Sequence, residues 1–160
     1  MRWDMVTRFD VLSKGVYSKA VKSYSGTEDF FKEHFPGNPQ VPQPFFIEMI
    51  AQAGGVIFGL GLDFKKEVIL AKIESAEFYR QASPPCELVI EARIEEKRDD
   101  GAWIAGTVAL NNEKVASARI LLAAVDALTN DKKPIVFNDR FMNSYDILAV
   151  ARKSEGVSIP

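Results

Sequence analysis

Residues 45–59 are apolar on nearly every side of a helix. Phe45-Phe46-Ile47 leads into Met49-Ile50-Ala51, and Ala53 to Gly59 carries no charge. A helix without a polar face cannot lie on a surface and has to be enclosed. Pro44 stands at the expected first helical position, where its missing N–H costs nothing and its φ is preset. Gly54-Gly55 lowers helix propensity, which predicts close approach of another backbone there. The rest of the chain must supply the enclosure.

Strands are the material available. Residues 5–13 and 15–23 read as two short strands joined by the Lys14-Gly15 turn. Val68 to Ser75, Glu77 to Gln81, Glu87 to Lys97, Ala102 to Asn111 and Lys114 to Val125 also read as strands. Asp99-Asp100-Gly101 and Asn111-Asn112 supply hairpin turns. One enclosed helix followed by long antiparallel strands predicts an α+β fold, with a sheet curled around the helix. It also predicts a second copy of the domain to complete the cover. Residues 24–44 are rich in proline and glycine, which predicts an ordered loop with one helical turn over 27–32 capped by Thr27.

Residues 1–125 therefore form the principal domain, and 126–160 an extension belonging to the same unit. Asp131-Lys132-Lys133-Pro134 reads as a linker-like break. Phe141, Tyr145, Leu148 and Ala151 recur at helical spacing, predicting a helix over 140–153 with Asn138 or Asp139 as cap and Gly156 as stop. There is no internal repeat.

Composition narrows the function. The 160 residues are 47% hydrophobic and 26% charged, with net charge −2. No global basic field draws in nucleic acid. The single cysteine, Cys86, cannot form an internal disulfide or a zinc site and reads as a packing residue. The stretch from Phe45 to Leu62, interrupted by Glu48 and Gln52, is too short and polar for a membrane span. With no signal-peptide pattern at Met1-Arg2-Trp3-Asp4, a cytoplasmic protein is expected.

His34 is the only histidine, and Glu48 follows fourteen residues later inside the apolar helix. Between them lies a stiff turn, Phe35-Pro36-Gly37-Asn38-Pro39. An imidazole and a carboxyl group on an enclosed helix are candidates for a general acid/base pair.

The run from His34 to Gln52 resembles the active-site motif of the 3-hydroxyacyl-(acyl carrier protein) dehydratases of bacterial fatty-acid synthesis, HFPGxPxMPGxxxxExxAQ. Ala76-Glu77-Phe78-Tyr79-Arg80 resembles a strand of that family, and Ala102 to Leu122 its last two strands. The resemblance covers roughly residues 4–124. It implies the hot-dog fold, a long central helix wrapped by an antiparallel sheet, paired as a homodimer. It further implies that His34 of one protomer meets Glu48 of the other in a tunnel at the interface, and that the substrate is carried by acyl carrier protein. A glutamate at position 48 matches the general dehydratases; the related dehydratase/isomerases have aspartate. No metal or redox cofactor is implied.

Two departures bear on the acyl pocket. Gln43 replaces the family's usual glycine, whose N–H holds the thioester carbonyl, and Pro85-Cys86 replaces its Gly-Asp. Gln43 keeps an N–H, whereas Pro44 offers none.

The chemistry suits these groups. Dehydration removes a proton from C2 and expels the C3 hydroxyl. Imidazole is the natural base near neutral pH. An apolar helix disfavours an ionised carboxyl, which suits Glu48 to be the acid. The negative charge developing on the thioester oxygen needs a donor, and a helix N-terminus supplies one. Gln43 N–H is the candidate, and Val41, Pro42, Phe45 and Phe46 are candidates for lining the acyl channel. Gln52, one turn after Glu48, is the candidate to orient it.

Simpler roles exist for the same residues: Glu48 paired structurally with Arg80, the phenylalanines as core, and Arg80, Arg93, Lys97 and Arg98 as a solvated face or a docking patch for an acidic carrier. Two other functions stay open, a hot-dog thioesterase and a non-catalytic protein that binds acyl chains or their carrier.

Overall fold

The computed structural model describes residues 4–126 and 135–160. Strands β1 (Arg8–Ser13) and β2 (Tyr17–Tyr24) form a hairpin, and a 3-10 turn (Asp29–Lys32) follows. Helix α1 (Gln43–Gly61) then leads into β3 (Glu67–Phe78), β4 (Cys86–Lys97), β5 (Gly101–Leu110) and β6 (Glu113–Val125). Helices α2 (Asp139–Ser144) and α3 (Ile147–Lys153) end the chain. All six strands form one antiparallel sheet in the order β1-β2-β4-β5-β6-β3. The chain thus leaves β2, crosses the concave face as α1, and enters the far edge of the sheet as β3.

The expected wrapped-helix architecture is present. Along β4, β5 and β6, alternate residues (Leu88, Ile90, Ala92; Ala102, Ile104, Val108; Ala116, Ile120, Leu122) are buried. They join Phe46, Met49, Ile50, Val56, Ile57 and Phe58 of α1 in one core. Each such large side chain contributes about 1.5–3 kcal/mol by leaving water. Register shifts interrupt β1/β2, β3/β6, β4/β5 and β5/β6. Bulges of this kind bend strands and curl the sheet.

The glycine pair of α1 has two different neighbourhoods. A Cβ on Gly54 would stand 2.8 Å from Ile104 Cγ2, whereas one on Gly55 would meet only Val68 Cγ1 at 3.9 Å. The close approach expected there is therefore real only at Gly54, and its partner is a side chain on β5 rather than a backbone.

Several local expectations shift. The helix starts at Gln43, so Pro44 is its second residue and Pro42 the cap. The two strands expected over 68–81 are one continuous β3, whose register shifts near Lys72 and Ser75 accommodate the irregular alternation. Thr27 does not cap the 3-10 turn: its hydroxyl bonds Ser25 Oγ. Glu28 is the residue at the cap, and its carboxylate accepts the N–H groups of Ser25 and Gly26 at 3.0 and 2.8 Å.

The helix expected over 140–153 is broken in two. Asp146 takes a left-handed conformation, φ +48°, which aspartate tolerates better than most residues. Tyr145 beside it donates its hydroxyl to Val6 O at 3.1 Å. Asn138 caps α2 as expected, accepting Phe141 N–H at 3.0 Å. The tail lies against β1 of its own chain: Leu12 N–H donates to Ser154 Oγ at 3.0 Å, and the Tyr145 ring meets Phe9 edge-on. The linker-like break at 131–134 lies outside the described residues.

Candidate active site

The loop before α1 is tied back on itself. Gln40 N–H donates to His34 O at 2.9 Å, and Val41 N–H to Ala82 O at 2.8 Å. His34 is half-buried, with its ring stacked on Phe35 at 4.1 Å across a cis peptide. Its Nδ1 lies 3.1 Å from Gln40 O. A carbonyl can only accept, so Nδ1 carries a proton in this contact. The imidazole is therefore oriented by the same loop that holds the turn in shape.

Glu48 sits in the second turn of α1. The Gln52 amide donates to Glu48 Oε1 at 2.9 Å, while Gln52 Oε1 accepts Met5 N–H at 2.9 Å. Gln52 is thus placed where an orienting residue belongs. Arg80, the alternative structural partner of Glu48, pairs with Glu113 instead. The other cations expected on one face are dispersed: Arg98 pairs with Glu96, Arg93 lies over the Tyr17 ring, and Lys97 reaches Gly61 O.

Glu48 is half-buried and opens into a cleft of about 400 Å³. Glu48, Ala51, Gln52 and Gly55 form its helical wall, and Val68, Ile69, Leu70 and Leu122 its sheet wall. These four helix positions are three, four and seven residues apart, so they share one face. The far side of the cleft is closed by Val136, Phe137 and Phe141 from the C-terminal extension. Sequence reasoning passed over these three; Phe137 and Phe141, four apart, were the only signal.

Gln43 is the first residue of α1, so its N–H has no acceptor within the helix. Among the channel candidates, Val41 and Phe46 are fully buried in the core. Phe45 is half-buried against Phe30, with ring centroids 5.3 Å apart. None of these, nor Pro42, lines the Glu48 cleft. Cys86 is half-buried at the start of β4, and burial raises the pKa of its thiol, as suits a packing residue.

Among the described residues, edge strand β3 is paired on one side only, by β6. It nevertheless exposes Ile69, Leu70, Ile73 and Phe78. An apolar, unpaired edge of this length is an association surface. The one described helix long and apolar enough to cross a bilayer is α1, which is the core of the fold.

Comparison with known proteins agrees with this geometry. Residues 3–119 match the model of the FabA-like domain. The 3-hydroxyacyl-[acyl-carrier-protein] dehydratase FabZ of Hydrogenobaculum sp. is 37% identical over 116 residues, which is 71% of this chain and 78% of the relative. That of Xanthomonas oryzae pv. oryzae is 36% identical over 124 residues, 76% and 80% of the two chains. Among solved structures, a dehydratase heterocomplex from Xenorhabdus doucetiae superposes with a TM-score of 0.65 at 15% identity, covering 81% of this chain and 86% of the other. The wrapped helix is thus the hot-dog fold, and the chain belongs to the FabA-like dehydratase family.

Proposed function

We propose that this chain, a dehydratase of 3-hydroxyacyl thioesters in fatty-acid synthesis, works with His34 as base and Glu48 as acid. His34 Nε2 takes the proton from C2. Glu48 protonates the C3 hydroxyl, which leaves as water, and a trans-2-enoyl thioester remains. The Gln43 N–H, at the positive end of α1, binds the thioester oxygen as charge develops on it. Removing one such donor from an enzyme typically costs about 3 kcal/mol. The Gln43 side chain adds bulk where the family usually has glycine.

The observation that carries this reading is the pair of tethers. His34 Nδ1 is bound to Gln40 O, and Glu48 Oε1 is held by Gln52. Each side chain is fixed through one atom and keeps the other for proton transfer. The active form is a homodimer joined along β3, in which His34 of one protomer faces Glu48 of its partner. The exposed apolar edge of β3 supports that arrangement. The substrate arrives on acyl carrier protein in the cytoplasm.

The test is enoyl-thioester formation from 3-hydroxyacyl thioesters of several lengths by wild type, His34→Ala and Glu48→Gln. General acid–base catalysis is worth about 10²–10⁴-fold, and each variant is expected to lose at least that. Wild-type turnover no faster than buffer at every length would refute the proposal. Release of free thiol instead would make the protein a thioesterase.

A further inference from the structure

We infer that the C-terminal extension is the end wall of the acyl slot and sets the length of chain the protein accepts. Four observations meet here. Val136, Phe137 and Phe141 line the same cleft as Glu48. That cleft runs along α1 from Glu48 to Gly55, about 10 Å at 1.5 Å per residue. One turn beyond Gly55, a Cβ on Gly59 would lie 2.9 Å from the Phe137 ring. Phe137 therefore stands against the helix at the end of the slot remote from Glu48. Phe141 backs it, with ring centroids 5.8 Å apart.

The wall is pinned in place. Glu67, 1% exposed at the start of β3, accepts Val136 N–H at 3.1 Å and also Ile135 N–H. A buried carboxylate held by two backbone donors fixes the entry of the segment into the cleft. Phe137 also packs on Phe64, just after α1, at 4.9 Å. The extension is thus clamped to both walls of the groove it closes, at one end: to the sheet through Glu67 and to the helix side through Phe64. The matched domain stops at residue 119, so this wall lies outside the part matched to the family.

An acyl chain whose thioester lies at Gln43 and whose C3 hydroxyl lies at Glu48 would run toward Gly55 and stop at Phe137 and Phe141. Shrinking either ring lengthens the slot, and enlarging Phe141 shortens it. One methylene in an apolar pocket is worth about 10-fold or more in discrimination, so the effect is large enough to read.

The experiment uses acyl-pantetheine thioesters of graded length with wild type, Phe141→Ala, Phe141→Trp and Phe137→Leu. Affinity for the saturated thioesters is measured by calorimetry and kcat/KM for the 3-hydroxyacyl thioesters by absorbance. The inference rests on the dehydratase reading only for the choice of ligand, and calorimetry needs no chemistry. F141A and F137L are expected to move the preferred length upward, changing the long-to-short ratio about 10-fold, and F141W to move it downward. Phe141 is only half-buried, so F141A keeps the fold. An unchanged length profile in folded F141A and F141W overturns the inference, as does failure of wild type to bind any length. A shifted binding profile without turnover supports the wall and refutes the dehydratase.

Discussion

Adjacent glycines in α1 should respond in opposite ways to the same added methyl group. Both are helical, so replacement by alanine gains about 0.5–1 kcal/mol through the unfolded chain in each case. At Gly55 nothing offsets that gain, because the nearest atom would be Val68 Cγ1 at 3.9 Å. At Gly54 the Cβ would stand 2.8 and 3.2 Å from the two γ carbons of Ile104. Ile104 is fully buried and β-branched, hence stiff, and overpacking of this kind costs about 1–3 kcal/mol. Propensity cancels between the two variants, leaving Gly55→Ala the more stable by about 1–3 kcal/mol. Urea unfolding measures the difference directly; in thermal melts it amounts to about 2–12 °C for a chain of this size. Gly55 also faces the cleft beside Glu48. Its new methyl group should therefore lower kcat/KM about tenfold or more for chains that fill the slot, in a protein that has become harder to unfold. Equal shifts in stability at both positions would refute the packing account. Full activity in Gly55→Ala would show that the acyl chain takes another path.

Ile73→Lys, at a side chain 45% exposed on the edge of β3, should give a monomer in sedimentation velocity and abolish turnover with little loss of secondary structure; a dimer would place the interface elsewhere. Burial alone would raise the pKa of Glu28, but N–H donation from Ser25 and Gly26 outweighs it and holds the carboxyl below its ordinary 4.5. The unfolded chain then binds more protons than the folded one, so this contribution is present above about pH 4.5 and fades as pH falls through the folded value. Glu28→Gln should therefore flatten the acid limb of urea midpoints plotted against pH, and an unchanged limb would count against the cap. Asn138→Ala removes the cap of α2 and should cost about 1 kcal/mol locally, seen as faster amide exchange over 141–144; unaltered exchange would mean that the Phe137 and Phe141 packing alone holds the turn.

The helix, the strand content and the two candidate residues His34 and Glu48 were legible because each has a short-range cause. An apolar stretch with no polar face has to be enclosed, period-two runs between Asn and Gly turns form hairpins, and a lone histidine before a proline-stiffened turn is conspicuous. Asn111 and Asn112 both take positive φ, 51° and 64°, as a tight hairpin demands. What stayed illegible depends on contacts between distant residues. Gly54 and Gly55 are identical letters, and only Ile104, fifty residues on, separates their roles. Asp146 breaks the last helix, and the Tyr145 hydroxyl beside it bonds Val6 O, a pairing across 139 residues. Val41 and Phe46, two residues from the candidates Gln43 and Glu48, are buried in the core. The residues that close the cleft come from the far end of the chain, and Glu67, which anchors them, carried no local signal at all.

The bond from Met5 N–H to Gln52 fixes the polarity of a dipole. With its oxygen claimed by a main-chain donor 47 residues away, the amide can offer Glu48 nothing but hydrogen. Displacing the segment that precedes β1 by even a small step would free that amide to turn over and set oxygen against oxygen. The orientation of Gln52 toward Glu48 is thereby made contingent on the segment before β1 being correctly seated, so a misregistered or half-folded chain would present that amide in the wrong sense.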